Sequence, residues 1–520
     1  MANLALNLVD SAQRHPLRIA VITETVNMTY AEVDAAVARL ATLLHRSGVR
    51  VGDRVGVMLP NIAAAPISYY AIWRVGAIAV PMNPLLQAGE VEFQLANTAA
   101  RLLIGSVGFA SAATEAAERT NTVLHLVDDA LLAAMTAGLP SFGDPVERGS
   151  QHTAAVLHTS GTTGTPKGAE LTHGNLGGNQ NTFRSSLIRL TEMDVVLACL
   201  PLFHVFGMTC AMNAAIASGS TLSLLARFDP ALAIGRIATD QVTVFAGVPT
   251  MYTALLAVAD QLPRGSTASL RTCVSGGSAL PVQVLKDFEK TFGVMILEGY
   301  GLSETSPVTT FNHPGEERRP GSVGTPVHGV RLRLVDDEGN EVPEGSAGEI
   351  QVKGPNVMKG YWNQPEATAE SLRGGWFSTG DIAVVDRDGH YFIVDRKKDL
   401  IIRGGYNVYP REVEEAMHEH PAVAEVAVVG IPHESLGEEI GAAVVLKSGL
   451  SVDVEELSDF AKERVAAYKY PRHIWFVDGL PTGPTGKILR REVKPPPTVM
   501  GWQTRRYDVS RSGDEFRPSG

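Results

Sequence analysis

Length, composition and charge indicate a globular chain with more than one domain. The 520 residues exceed what a single hydrophobic core usually organises, and this length predicts about two to four domains or subdomains. Hydrophobic residues make up 44% of the chain and charged residues 19%, while the net charge of −11 argues against nucleic acid as the main partner. Three scattered cysteines are too few for a disulfide framework or a cysteine metal cage, and they predict a cytoplasmic protein with reduced thiols.

Three segments bear on whether the chain enters a membrane. The first 18 residues lack the basic and apolar regions of a secretory signal. The uncharged runs 55–73 and 195–226 approach or exceed spanning length, but both contain proline and polar residues. We therefore expect buried α/β core at both runs and no transmembrane segment.

The first three hundred residues alternate between helical and strand patterns. Thr29 and Glu32 form a capping box in front of apolar residues at helical spacing, which closes at Gly48. A short strand is predicted at 54–59, and others at 241–245 and 271–274. This rhythm predicts an α/β fold with mixed or parallel sheets covered by helices.

The predicted secondary structure changes from alternating helices and strands to mostly strands near residue 321. Segments 330–335 and 348–352 alternate as strands around a turn at 336–340, which predicts a β-rich subdomain. Helices are then predicted near 411–418 and 454–467, with strands near 423–429, 441–446 and 474–477. We expect an N-terminal domain at 1–394 with its β-rich part at about 321–394, a hinge at 395–399, a small mobile α+β domain at 400–494, and a disordered tail at 495–520.

Residues 158–168 concentrate hydroxyls, glycines and one lysine after an apolar run. Glycine lets backbone N–H groups turn toward an anion, and Lys167 adds positive charge, so this composition is typical of a loop that holds phosphate. A Walker loop needs glycine before its lysine and a hydroxyl after it, whereas this chain has Pro166 and Gly168 there. A P-loop NTPase is disfavoured, and an ordinary polar surface loop stays open on this segment alone.

Seven further motifs follow the loop at 158–168 in a fixed order along the chain. They are PLFH at 201–204, GVPTMY at 247–252, SGG at 275–277, GYGLSET at 299–305, STGD at 378–381, GYNVYP at 405–410 and PTGKIL at 484–489. In this order they resemble the acyl-adenylate-forming superfamily, in its acyl-CoA synthetase and fatty-acid–CoA ligase branch. The resemblance runs from about residue 29 to 491.

The resemblance implies an acid–thiol ligase. A carboxylate attacks the α-phosphorus of ATP, pyrophosphate leaves, and the acyl group passes to coenzyme A. Because two anions must meet, local positive charge and Mg²⁺ are needed, and Glu304 would bind the metal ion. The residues that would contact the leaving phosphates are Thr159, Ser160, Gly161, Thr162, Thr163, Gly164 and Lys167.

The same resemblance implies roles around the rest of ATP. Gly277 and Tyr300 would contact the nucleotide, with the tyrosine ring stacked on adenine. Thr305 would donate to the α-phosphate, while Asp381 and Arg396 would bind the ribose.

A lysine from the C-terminal section would complete the site. Lys487 would reach the α-phosphate and the attacking carboxylate, where a flexible ammonium suits charge that develops during reaction. Since one domain would serve two steps, it must rotate, and Lys398 matches the pivot of the family. Gly405 would then lie beside the pantetheine arm.

The motif around His204 bears on the acid. The stretch 203–207 lacks the aspartate that holds an amino group in peptide-synthetase domains, and His204 would lie at the acyl pocket, unless it is a buried structural histidine. Gly299 stands where malonate-type enzymes commonly carry arginine. We expect a medium- or long-chain fatty acid, with an aryl acid as the alternative.

Two further alternatives concern the acceptor and activity itself. An acyl carrier protein could replace coenzyme A, although no insertion that would hamper domain rotation is obvious before Asp395. An inactive acyl-binding paralogue would be expected to lack Glu304, Asp381 or Lys487, all of which are present.

Overall fold

The computed structural model describes residues 3–159, 166–261, 265–483 and 486–497. Within it the chain forms two compact units, the first comprising Met1–Val394 with Pro484–Lys487 and the second Asp395–Gly483 with Ile488–Gly520. The predicted tail at 495–520 lies outside the described residues from 498 onward.

Helices occur throughout both units. They are α1 (Ala5–Arg14), α2 (Tyr30–Arg46), α3 (Ala64–Arg74), α4 (Ala88–Thr98), α5 (Ala110–Thr120), α6 (Asp129–Thr136), α7 (His173–Asn181), α8 (Ala214–Ser218), α9 (Pro230–Thr239), α10 (Pro249–Ala257), α11 (Val282–Phe292), α12 (Pro365–Ser371), α13 (Pro410–His418) and α14 (Val454–Lys462).

Strands alternate with these helices, most regularly in the first half of the chain. They are β1 (Ile19–Ile22), β2 (Asn27–Thr29), β3 (Arg54–Met58), β4 (Ile78–Pro81), β5 (Leu102–Ser106), β6 (Val123–Val127), β7 (Thr153–Thr159), β8 (Lys167–Thr172), β9 (Val195–Ala198), β10 (Thr221–Leu224), β11 (Val244–Gly247), β12 (Thr272–Ser275), β13 (Ile296–Gly301), β14 (Val308–Phe311), β15 (Thr325–Pro326), β16 (Arg331–Val335), β17 (Gly348–Lys353), β18 (Gly360–Tyr361), β19 (Leu372–Arg373), β20 (Trp376–Val385), β21 (Tyr391–Arg396), β22 (Ile401–Arg403), β23 (Tyr406–Val408), β24 (Val423–His433), β25 (Gly437–Leu446) and β26 (His473–Phe476).

Two mixed sheets dominate the first unit. One has nine strands in the order β15-β14-β13-β12-β11-β9-β10-β1-β2, and the other has seven in the order β18-β8-β7-β4-β3-β5-β6. Their interior pairs are parallel, for example β11 with β12 and β3 with β4, while antiparallel pairs such as β13–β14, β1–β2 and β7–β8 lie toward the edges. The predicted α/β class is confirmed.

Smaller sheets form the β-rich section and the second unit. The section after residue 321 contains the order β16-β17-β20-β19, with β21 beside β20. In the second unit the order is β23-β22-β25-β24, with β26 parallel to β25. Its core includes Val413 and Met417 of α13 and Leu457 of α14, all buried. The β-rich content predicted after residue 321 and the α+β class predicted for the C-terminal domain are confirmed.

Local signals formed the expected elements with small boundary errors. At the start of α2, Thr29 Oγ1 accepts from Glu32 N–H, and the Glu32 carboxylate accepts from Thr29 N–H, as the capping box predicts. The strand predicted at 241–245 begins only at Val244, because Gln241 has φ of 55° in the turn after α9. The helix predicted to 467 ends at Lys462, since the chain must turn toward β26 and Lys469 N–H donates to Ala466 O.

The two long uncharged runs are core, as predicted. Every residue of α3 is buried, and so are the strand residues of β10. The three cysteines are unpaired and buried. Across the ranges that the structure describes, we find no helix both long and apolar enough to cross a membrane.

Candidate active site

The two ends of the predicted phosphate loop lie side by side. Strands β7 and β8 pair antiparallel with Thr159 opposite Lys167, so the hairpin holds these residues together. The predicted loop residues between them, Ser160, Gly161, Thr162, Thr163 and Gly164, lie outside the described residues. The site can therefore be built from the two loop ends and what contacts them.

Glu304 lies next to the end of β7. It belongs to a single 3-10 turn, Ser303–Thr305, and only 8% of the residue is exposed. Its Oε1 accepts from Thr159 Oγ1 at 3.2 Å and from the Tyr361 hydroxyl at 3.1 Å. Its backbone oxygen accepts from Met358 N–H at 2.8 Å, which ties the turn to the segment before β18.

The surroundings of Glu304 fit a magnesium ion held together with a phosphate. Among the described residues, no group of three or more His, Cys, Asp or Glu side chains could form an all-protein metal cage. Mg²⁺ usually keeps water and substrate phosphate oxygens and takes one or two carboxylates, so one buried carboxylate beside the predicted phosphate loop is a suitable donor set.

Tyr361 joins this cluster and was not predicted from the sequence. Its ring centroid lies 5.2 Å from the Lys167 ammonium, and its hydroxyl donates to Glu304. Burial, followed by the nearby carboxylate, raises the pKa of Tyr361, so the hydroxyl remains a donor. A glycine, a tyrosine and a tryptophan in sequence at 360–362 were the only local signal, and the pairing that places the ring is not local.

A second cluster contains the predicted adenine and ribose residues. The Tyr300 hydroxyl donates to Asp381 Oδ2 at 2.7 Å, although the two residues belong to different sheets. Asp381 is only 4% exposed, and its N–H donates to Thr379 Oγ1 at 3.1 Å. The structure thus brings together two residues that were predicted to contact one nucleoside.

Thr305 and Gly277, both predicted to contact the nucleotide, lie close to other groups of the protein. The Thr305 side chain is fully buried, donates to Pro307 O at 2.7 Å and accepts from Leu302 N–H at 2.9 Å. A contact from this hydroxyl to a phosphate would require exchange of the bond to Pro307. Gly277 follows β12 with φ of 80°, and a Cβ there would lie 3.5 Å from Val248 Cγ1.

His204, Gly486 and Lys487 all belong to the first unit. Thr250 Oγ1 donates to Gly486 O at 3.0 Å. Burial, and then the charge of Lys487, lowers the pKa of His204 to about 4. Because His204 Nδ1 accepts from Phe206 N–H at 3.3 Å, the neutral ring carries its proton on Nε2.

Arg396, Lys398 and Gly405 belong to the second unit. Arg396 is the last residue of β21, and its N–H donates to Asp395 Oδ1 at 2.8 Å. Lys398 lies in the single turn Lys397–Asp399, and Gly405, with φ of 84°, lies in the turn between β22 and β23.

Comparison with known proteins identifies the family. A model described as AMP-binding enzyme matches residues 8–362, and one described as AMP-binding enzyme C-terminal domain matches residues 412–487. The chain belongs to the AMP-binding enzymes. The first model alone spans more than half of the chain.

Similar proteins cover nearly the whole of this AMP-binding enzyme. A long-chain-fatty-acid–CoA ligase of Bacillus subtilis (strain 168) is 39% identical, over 94% of this chain and 93% of the relative. A feruloyl-CoA synthase of an Amycolatopsis species is also 39% identical, over 94% of this chain and 97% of the relative. The crystal structure of ATP-bound MatB from Rhodopseudomonas palustris matches with a TM-score of 0.88 at 34% identity, covering 94% of this chain and 98% of MatB.

These matches test the predicted family and the predicted class of enzyme. The expected membership of the acyl-adenylate-forming superfamily and the expected class, an AMP-forming acid–thiol ligase, are confirmed. The P-loop NTPase alternative is set aside by the same matches. The roles of individual residues remain predictions.

Proposed function

We propose that this AMP-binding enzyme joins a medium- or long-chain fatty acid to coenzyme A through an acyl-adenylate. The observation that carries the proposal is that Lys487 belongs to the first unit, where burial and then the charge of this lysine lower the pKa of His204, the residue predicted to lie at the acyl pocket. The 39% identity to a long-chain-fatty-acid–CoA ligase over nearly the full length supports the fatty acid as substrate.

The proposed chemistry divides among the two clusters and the lysine. Lys167 would bind the leaving phosphates at the end of the hairpin, and the Thr159 hydroxyl would bind them by exchanging its bond to Glu304 for one to a phosphate oxygen. Asp381 would accept hydrogen bonds from the ribose hydroxyls. Lys487 would stabilise the negative charge that builds on the α-phosphate as the carboxylate attacks. His204, neutral above pH about 4, would add no charge beside Lys487.

Magnesium is the proposed metal. Mg²⁺ neutralises charge on phosphate oxygens, and Glu304 would supply the protein carboxylate to it. A cytoplasmic location is also proposed, and the three unpaired cysteines support a reducing compartment.

We further propose that the second unit moves between the two steps. It begins at Asp395, and a short polar turn, Lys397–Asp399, follows immediately. Lys398 would absorb the change in backbone dihedrals, and Gly405 would lie against pantetheine afterwards.

An aryl acid is the second candidate substrate. A feruloyl-CoA synthase is as similar in identity as the fatty-acid ligase, at 39% over 94% of the chain. A panel of fatty, aryl, dicarboxylic and amino acids in ATP–pyrophosphate exchange separates these possibilities. Product analysis with coenzyme A and with an acyl carrier protein then identifies the acceptor. If no acid supported exchange, the ligase proposal would fail.

The role of Lys487 is tested by separating the half-reactions. Lys487→Ala is expected to reduce adenylate formation by about 10²-fold or more, since it removes a charge that acts on the transition state. Thioester formation from supplied acyl-adenylate should stay within severalfold of wild type. Lys494→Ala, which changes an exposed lysine in the same segment, is the matched control. Equal loss in both half-reactions, with the fold intact, would contradict the assignment.

A further inference from the structure

We propose that Tyr361 is a positioning residue that fixes the Glu304 carboxylate and the Lys167 ammonium in the orientation in which they bind the nucleotide. The inference rests on the proposed roles of Glu304 and Lys167 and adds a residue that neither role requires by itself. One side chain contacts both groups through different chemistry, with the hydroxyl 3.1 Å from Glu304 Oε1 and the ring 5.2 Å from Lys167 Nζ.

Backbone pairing determines where Tyr361 lies. Strand β18 pairs antiparallel with β8, which places Tyr361 opposite Ala169, two residues after the loop lysine. Trp362 N–H donates to Gly168 O at 2.7 Å, and Tyr361 N–H donates to Thr368 Oγ1 at 2.8 Å. The ring is therefore anchored to the strand that begins at Lys167.

Two hydroxyls orient the same carboxylate oxygen. Thr159, at the end of β7, and Tyr361, in β18 beside β8, both donate to Glu304 Oε1. Hydrogen bonds of this kind restrict how the carboxylate rotates, and a metal ion with strict octahedral preferences requires a fixed oxygen. Removal of the Tyr361 hydroxyl should therefore weaken binding that depends on Mg²⁺ more than binding that does not.

The ring contributes separately through Lys167. A cation above an aromatic face is attracted by the ring quadrupole, so the ring restricts the ammonium on its flexible stem. Tyr361→Phe keeps the ring and loses the hydroxyl, whereas Tyr361→Leu loses both. The two variants separate the effect on the carboxylate from the effect on the lysine.

The test measures ATP binding to the full chain by calorimetry, with and without Mg²⁺ and with no acid present. For Tyr361→Phe we expect the Mg²⁺-dependent gain in ATP affinity to fall by about tenfold, with metal-free affinity unchanged. For Tyr361→Leu we expect metal-free affinity to fall by a further few-fold. In a Glu304→Gln background, Tyr361→Phe should have almost no additional effect.

A structural control guards against a general loss of stability. Tyr30→Phe removes a hydroxyl that donates to Ser220 O at 2.6 Å in the buried core, so it should lower the unfolding temperature but leave the Mg²⁺ dependence unchanged. An unchanged Mg²⁺ dependence in Tyr361→Phe, or an equal change in Tyr30→Phe, would overturn the inference. Failure of wild-type protein to bind ATP would instead overturn the proposed function, and the inference with it.

Discussion

Gly486 is the residue whose replacement tests the placement of Lys487 most directly. Its φ is 77°, a region that costs a non-glycine residue about 1–2 kcal/mol. An added Cβ would lie 2.9 Å from Thr250 Oγ1 and 3.0 Å from Val248 Cγ2, so these neighbours would have to shift. Overpacking of this kind costs about 1–3 kcal/mol.

The two costs act on the same segment and can be combined. About 2–5 kcal/mol against the observed placement corresponds to about a 30- to 5000-fold fall in adenylate formation by Gly486→Ala. Thioester formation from supplied acyl-adenylate should change little, because it does not require Lys487 in this position. ATP–pyrophosphate exchange and the second half-reaction are measured on the same preparation.

A matched glycine isolates the backbone term from the steric one. Gly449 also has φ of 77°, but an added Cβ there would meet nothing within 4 Å. Gly449→Ala should therefore lower stability slightly and leave exchange near the wild-type rate. If folded Gly486→Ala kept exchange within twofold of wild type, the contact with Thr250 would have no part in adenylation, and the reasoning would be refuted.

Two predictions concern stability. Burial lowers the pKa of His173 to about 3, and His173 Nδ1 accepts from Leu4 N–H. The histidine of the unfolded chain takes up a proton below pH about 6.5, whereas the buried one stays neutral. The free energy of unfolding should therefore fall by about 2 kcal/mol between pH 7 and pH 5. His173→Gln should lose that part of the pH dependence in chemical denaturation, and an unchanged slope would contradict the burial argument. In the second unit, Arg490 Nη1 lies 2.7 Å from Asp395 Oδ1, and its Nε lies 3.0 Å from Glu414 Oε1. Arg490→Met should destabilise this unit by about 3–5 kcal/mol, since two acidic groups lose their cation; a melting temperature within a degree or two of wild type would show that they find other partners.

Much of this protein could be predicted because its signals are local. The capping box before α2 satisfies its own N–H groups within four residues, so the helix start follows from the sequence. The ordered set of motifs identified the family for a related reason, since each motif is a short run of adjacent residues. Boundaries failed where a turn residue such as Gln241 took a left-handed conformation that its pattern does not reveal.

Only the tertiary structure decided which of these residues meet. Tyr300 and Asp381 come from separate sheets, and no spacing in the sequence places one hydroxyl 2.7 Å from the other residue's carboxylate. Tyr361 reaches Glu304 through strand pairing, which depends on hydrogen bonds between segments almost two hundred residues apart. Residue types therefore determined the family and the chemistry that this chain can carry, whereas long-range pairing determined which side chains share a site, because backbone register is set by packing of the whole unit.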